Sequence, residues 1–253
     1  MALLVSCSIK EERYACPCEL YLEFEEMVPG SGSILWCLTS ESYSFRDCGF
    51  LSYDEWPEGL LFSVPRGKIG VDMLVADSSA DLSEKGMVIS EGRDCPYVYS
   101  FNRIVECDSS EARDTIVLHK KFALLYCYVS GMDELQGEMR FEISGNVNGY
   151  APDGAPVAGQ FRYDLRMEKA SELQEVGCVS LPAQTDGSLR LNLYSYDGNL
   201  SRSFAIGEYI LDSGYDWSRE DLEDISLEID FINTGVVVST VNRKTKYFDI
   251  DAS

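Results

Sequence analysis

The sequence of 253 residues predicts an all-β protein built from two β-sandwich domains. Its aromatic content is 11 %, with 15 tyrosines, and this composition favours strands over helices. Short runs of alternating apolar and polar residues recur along the chain, separated by turn-forming stretches at the spacing of a sandwich. A polar segment without periodicity, residues 108–114, divides these runs into two sets. A single large barrel is the alternative architecture.

Strand-like runs begin shortly after the N-terminal segment. Residues 20–25 alternate with period two, and residues 60–64 are followed by a turn at Pro65, Arg66 and Gly67. The predicted strands up to the dividing segment and just after it are 20–25, 34–38, 60–64, 69–75, 97–101 and 115–118.

The second set of runs repeats this style. A hairpin is predicted where residues 225–231 and 236–241 flank Asn233-Thr234-Gly235. Ser218 followed by acidic residues predicts a short helix over 218–224. The other predicted strands are 122–129, 138–143, 161–167 and 189–194. The alternating run 246–251 is either the last strand of an intact sandwich or an edge strand that can be exchanged with another chain.

These observations predict three parts of the chain. Residues 1–18 form a leader remnant and tether, residues 19–113 an N-terminal sandwich, and residues 114–253 a C-terminal sandwich. Each sandwich is close to the usual size of a single domain.

Charge and motif content exclude several classes of function. The chain has 43 acidic and 21 basic residues, and a net charge of −22 repels nucleic acid. The only histidine, His119, leads into an apolar run, and the chain lacks nucleophile-elbow and phosphate-loop motifs. We therefore expect no enzyme activity, no cofactor, no metal, no small-molecule substrate and no nucleic-acid partner.

Nine cysteines favour an exported protein with disulfides over a zinc site. Cys16-Pro17-Cys18 is too closely spaced for the usual pair of zinc ligands. The disulfide candidates are Cys16, Cys18, Cys37 and Cys48, and a bond from Cys16 or Cys18 to another cysteine of the first domain is preferred. Cys37 and Cys127 lie in apolar runs, so buried thiols are the alternative for them.

The N-terminal segment resembles a bacterial lipoprotein signal. Leu4-Val5-Ser6-Cys7 resembles a lipobox, in which the cysteine becomes the acylated first residue of the mature chain. Lys10, Glu11 and Glu12 resemble the export tag of surface lipoproteins in Bacteroidota. Only six residues precede Cys7 and none is basic, so we expect translation to begin upstream of Met1. A short strand with a buried Cys7 is the alternative.

Several further segments, in this order, resemble the fimbrillin-associated anchor lipoprotein family of Bacteroidota. These segments are 16–24, 119–123, 129–131, 145–150, 159–161, 207–210, 214–217 and 221–230. The resemblance implies two tandem transthyretin-like Greek-key sandwiches on a lipid anchor at the cell surface. It also implies a role at the outer membrane, where the protein holds the base of a fimbrium, limits its length and pairs strands with fimbrial subunits.

Two other functions remain open at this point. A glycan-binding surface lipoprotein would share the acidity and the sandwiches, and would use Trp36, Trp56 or Trp217 as its aromatic platform. A surface hydrolase is the weaker alternative because no catalytic constellation is evident in the sequence.

Overall fold

The protein, described here from a computed structural model, is almost entirely β-structure. The structure describes residues 17–26, 30–40, 44–54, 57–131, 139–171, 174–230, 235–240 and 246–249. Within these ranges the chain forms twenty strands and one short helix. The predicted all-β class is therefore confirmed.

The first sandwich places a three-stranded sheet, in the order β4-β1-β9, against a five-stranded sheet, in the order β10-β8-β5-β2-β3. In β1 the alternate residues Leu20 and Leu22 are buried between the sheets, where they join Met73 and Phe101 from the facing sheet. The first ten strands of the chain, of which β6 and β7 belong to a sheet of the second sandwich, are β1 (Cys18–Phe24), β2 (Gly32–Ser40), β3 (Phe45–Tyr53), β4 (Gly59–Val64), β5 (Gly67–Asp77), β6 (Asp81–Ser83), β7 (Gly86–Val88), β8 (Val98–Cys107), β9 (Glu111–Ile116) and β10 (His119–Lys120).

The second sandwich consists of two larger sheets. One has the order β14-β15-β11-β18-β19-β20, and the other has the order β17-β16-β12-β7-β6, with β13 paired to β12. The elements are β11 (Phe122–Ser130), β12 (Arg140–Tyr150), β13 (Pro156–Leu165), β14 (Met167–Lys169), β15 (Gln174–Pro182), β16 (Arg190–Tyr194), β17 (Leu200–Phe204), α1 (Ile206–Asp212), β18 (Ile225–Asp230), β19 (Gly235–Thr240) and β20 (Lys246–Asp249). The predicted hairpin is present, because β18 and β19 pair antiparallel.

The two sandwiches follow one plan. The first strand of each, β1 or β11, lies between an antiparallel neighbour and a parallel one. A parallel pair requires a long crossover connection, so each of these pairs joins segments that are distant in sequence. The three-stranded sheet is therefore complete only when β9 pairs with β1, and the six-stranded sheet only when β18 pairs with β11.

Strand pairs cross the predicted boundary between residues 113 and 114. The β6–β7 hairpin of the first half pairs with β12, and β10 of the second half pairs with β8. Gly86 allows β7 to pair with β12. Its φ is +110°, and an added Cβ would lie 2.0 Å from the Tyr150 carbonyl oxygen. One apolar core also includes Leu35 and Leu74 of the first half with Phe122 and Tyr150 of the second. The division into domains at residue 113 stays a prediction.

The helix predicted over residues 218–224 is wrong. The Asp216 carboxylate accepts from the Ser218 N–H and hydroxyl, so this segment begins as a tight turn. The Leu222 N–H then donates to the Lys120 carbonyl at 3.0 Å, which holds the segment beside the start of β11. The helix lies instead at residues 206–212, where Ile206 and Ile210 are buried one turn apart.

The Tyr150 side chain is fully buried in the apolar core that also contains Phe122. Its hydroxyl donates to the Lys121 carbonyl and accepts from the Ala183 N–H at 2.6 Å. Burial is the main cause that raises the Tyr150 pKa well above its ordinary value, so the hydroxyl is protonated at physiological pH.

Replacing this hydroxyl is expected to destabilise the fold. Tyr150→Phe leaves two buried backbone groups unsatisfied, and we expect it to lower the free energy of unfolding by about 2–4 kcal/mol. Denaturant titration measures the loss. Tyr196 is 87 % exposed and supplies the control, because Tyr196→Phe should change stability by less than about 0.5 kcal/mol. Equal effects of the two changes would contradict the role given to Tyr150.

Candidate functional site

The described fold begins directly after the segment that is predicted to be a tether. Cys7, Lys10, Glu11, Glu12 and Cys16 all lie outside the described residues. Cys18 is the first residue of β1, and its side chain is fully buried. Any load applied to the N-terminal segment therefore enters the first sandwich through β1, the middle strand of the three-stranded sheet.

Cys37 and Cys48 form a disulfide between neighbouring strands of the five-stranded sheet. They are directly opposite each other in β2 and β3, with their Cα atoms 4.1 Å apart. This bond secures β3, which is the edge strand on that side of the sheet. Cys127 is a buried thiol in β11, and the Cys178 thiol is exposed.

The three-stranded sheet has two edges of opposite character. At one edge, β9 carries Glu111, Arg113 and Asp114, and Arg113 forms an ion pair of 3.1 Å with Glu23. Arg103 pairs with Asp114 at 3.0 Å on the same side. Charged side chains on an edge strand disfavour pairing with another chain, so β9 is a protected edge.

The other edge, β4, is apolar. Its sequence is Gly-Leu-Leu-Phe-Ser-Val, with no charged residue and no proline. Leu61 points outwards with 55 % of its surface exposed. A cavity of about 420 Å³ runs along the β1–β4 pair, and Tyr21, Phe24 and Leu60 line it together with Glu23 and Glu58. An uncharged apolar edge is a ready template for strand addition.

The remaining edges among the described strands are blunted. Each carries a charged residue or a proline, or is very short. The residues concerned are Arg46 and Asp47 in β3, Asp81 in β6, His119 and Lys120 in β10, Pro156, Arg162 and Asp164 in β13, Glu168 and Lys169 in β14, Arg202 in β17, and Lys246 and Asp249 in β20. The edge most suited to strand pairing within the described part of the chain is therefore β4.

The C-terminal run was predicted either to complete the sandwich or to be an exchangeable edge. Its described part, β20, pairs antiparallel with β19 and is the last strand of a six-stranded sheet. It is thus both the final strand and an edge, and its exchange with another chain stays a prediction.

The tryptophans do not form a flat exposed platform in the described residues. Trp36 packs against Phe62 with ring centroids 5.5 Å apart, and an added Cβ on Gly49 would lie 2.4 Å from its ring. Trp217 is only 8 % exposed and packs edge-on against Tyr215. Trp56 lies outside the described residues. Trp36 and Trp217 are thus packed side chains, which weakens the glycan-binding interpretation.

A second cavity, of about 570 Å³, lies beside Trp217. Its two cationic side chains are engaged: Lys121 donates to the Glu220 carbonyl at 3.0 Å, and Arg219 donates to the Glu223 carboxylate. Both cationic side chains therefore hold the segment after α1 in place.

His119 has a structural environment. Its Nδ1 lies 3.1 Å from an Asp221 carboxylate oxygen, while the Lys120 N–H donates to the other oxygen at 2.8 Å. Burial raises the Asp221 pKa, but these hydrogen bonds and the nearby cationic charges outweigh it and keep the pKa below its ordinary value. His119 thus helps to join β10 to the segment before β18. Among the described residues, no group of three or more His, Cys, Asp or Glu side chains is placed to hold a metal ion.

Comparison with solved structures identifies the fold. The fimbrial anchor protein Mfa2 of Porphyromonas gingivalis matches with a TM-score of 0.68 at 11 % identity, over 90 % of this chain and 100 % of that one. This chain has the fold of Bacteroidota fimbrial anchor and adhesin proteins. No family model matches the sequence, and no curated protein matches it significantly.

Two structures from Bacteroides thetaiotaomicron have the same fold. One is a candidate adhesin, with a TM-score of 0.61 at 12 % identity over 90 % of this chain and 99 % of that one. The other is a candidate polysaccharide-binding protein, with a TM-score of 0.63 at 11 % identity over 92 % of this chain and 98 % of that one. Within the described residues, no helix has the length and apolar character needed to cross a membrane.

Proposed function

We propose that this protein is a surface lipoprotein that holds the base of a fimbrium at the outer membrane and limits the length of that fimbrium. It acts by binding and not by catalysis, and its partners are fimbrial subunits. The observation that carries the proposal is the uncharged β4 edge of a fold that fimbrial anchor protein Mfa2 also has.

Strand addition to β4 would supply both affinity and register. The outer edge of β4 offers backbone groups that an incoming strand can pair with, while Leu61 and the cavity beside Leu60 offer apolar contacts for alternate side chains. β4 is held on its other side by six residue pairs with β1, so the template is preformed. A preformed edge lowers the conformational cost of binding.

Attachment to the membrane is assigned to Cys7. Acyl chains on its thiol and on the new N-terminus would each contribute about 0.8 kcal/mol per buried methylene, and more than one chain gives a stable anchor. The described fold begins at residue 17, so about ten residues after Cys7 would serve as the tether.

Deleting the gene tests the proposal as a whole. Without its anchor a fimbrium has no attachment at its base, so we expect most fimbriae in the culture medium and a longer mean length by electron microscopy. Restoring the wild-type gene should reverse both effects. Cell-bound fimbriae of unchanged length in the deletion strain would refute the proposed function.

The export tag is expected to determine which side of the outer membrane the protein faces. Changing Lys10, Glu11 and Glu12 to alanine should leave the protein lipidated but facing the periplasm, because the tag is an address and Cys7 is the anchor. Surface biotinylation of this variant should then be a small fraction of the wild-type level. Its partition into the detergent phase, which reports lipidation, should stay unchanged.

A matched control separates the tag from net charge. Glu84, Lys85 and Glu91 are exposed in the folded part, and their replacement by alanine removes the same charges. This variant should be labelled at the surface like the wild type. Equal labelling of both variants would contradict the role of the tag.

A further inference from the structure

Two buried thiols meet at the point where the tether enters the fold. Cys18 begins β1, and Cys107 ends β8 in the facing sheet. Both side chains are 0 % exposed and belong to one apolar core. Cys18 lies opposite Val64 and Cys107 lies opposite Gly67, so the short turn between β4 and β5 brings the two cysteines to the same end of the sandwich. The Glu19 N–H donates to the Ser110 carbonyl at 2.9 Å, which holds the start of β1 beside the turn after β8.

This pair differs from the other thiols of the described chain. Cys95 and Cys127 are buried in a separate core, and Cys178 is exposed on β15. Cys18 and Cys107 share the core of the first sandwich. Cys37 and Cys48 are already joined between β2 and β3 in the five-stranded sheet of that sandwich. A compartment that oxidises one cysteine pair of this sandwich can oxidise a second pair that shares its core.

We propose that Cys18 and Cys107 form a second disulfide in the exported protein, and that this disulfide fixes the tether to the opposite sheet of the first sandwich. Its formation removes two protons and two electrons from the thiols, and an oxidised dithiol catalyst or small-molecule disulfide accepts them by thiol–disulfide exchange.

The bond would form during folding. Burial, together with the neighbouring Cys18, raises the Cys107 pKa to about 12, so the folded thiol has almost no reactive thiolate at physiological pH. Once formed in the closed sandwich, the disulfide would be shielded from external reductants because both cysteine side chains are fully buried.

The mechanical role rests on the proposed function. A pull on a lipid-anchored tether would act on the first residue of β1, which only backbone pairing with β4 and β9 and side-chain packing hold in place. A covalent bond to β8 would pass the load into the five-stranded sheet before β1 can peel away. The bond would also close a loop from residue 18 to residue 107 across most of the first sandwich.

Peptide mapping tests the bond directly on the full chain purified from an oxidising compartment. Cleavage after glutamate places Cys18 on peptide 13–19 and Cys107 on peptide 107–111, and a Cys16→Ser variant leaves one cysteine on the first peptide. We expect these two peptides to be linked after alkylation in denaturant without reductant, with Cys95, Cys127 and Cys178 alkylated. Alkylated Cys18 and Cys107, or a bond from Cys107 to another cysteine, would overturn the proposal.

Force measurement tests the consequence. When the chain is pulled from its N-terminus and C-terminus, reduction should lengthen the fully unfolded wild type by about 300 Å more than it lengthens Cys107→Ala, given about 3.6 Å per extended residue. Cys127→Ala serves as the control for loss of a buried thiol and should behave as the wild type. An equal gain in wild type and Cys107→Ala would contradict the bond. Both tests use purified protein, so their failure is distinguishable from failure of the fimbrial function.

Discussion

A Leu61→Lys protein is expected to reach the cell surface folded and to lose its fimbriae. Leu61 is 55 % exposed on β4, so a lysine there can extend into solvent without disturbing the core. When a strand of a fimbrial subunit covers the edge, the ammonium group has to be partly desolvated without a partner. We expect a loss on the order of 2 kcal/mol, about 30-fold in Kd, and fimbriae released into the medium.

Leu200→Lys is the matched control. Leu200 is also 55 % exposed and also lies on an edge strand, β17, but in the second sandwich. The Leu200→Lys change adds the same positive charge and should leave the fimbriae attached. Attached fimbriae in both variants, with both proteins folded by circular dichroism, would exclude β4 as the pairing edge.

Cys7→Ala is expected to release the protein from the membrane. The thiol is the chemical requirement for acylation, and without acyl chains nothing else assigned to the N-terminal segment binds lipid strongly. The protein should move from the membrane fraction to the soluble fraction. Its thermal unfolding should match that of the wild type, because the described fold begins ten residues further along the chain.

A second cysteine variant separates lipidation from a general effect of thiol loss. Cys178 is exposed on β15, and Cys178→Ala should remain in the membrane fraction. A Cys7→Ala protein that still floats with the outer membrane would contradict the assignment of the anchor.

Local patterns in the sequence predicted most strands, and for a clear reason. The alternation that places Leu20 and Leu22 on one face of β1 is a property of the backbone and is readable from seven residues. The short helix at 206–212 was missed because seven residues offer only two turns of periodicity, of which Ile206 and Ile210 are the visible part.

Which strands pair with each other could not be predicted from the local alternation of residues. The β6–β7 hairpin lies in the first half of the chain but pairs with β12, and no local pattern records that choice of partner. The same holds for β4, where residues 60–64 were predicted as a strand but not as an edge. The missing charge in β4 is the one sequence signal that could have indicated a binding edge.

In the proposed function, one protein joins a fimbrium to the membrane, and this link is tested most directly by locating that protein on shed fimbriae. In a Cys7→Ala strain, immunogold labelling should find fimbriae in the medium with the protein at one end of each. Its sandwiches and its β4 edge remain intact in this variant, so only the membrane end of the link is lost. Fimbriae that stay on the cells, or shed fimbriae without label at an end, would contradict the account.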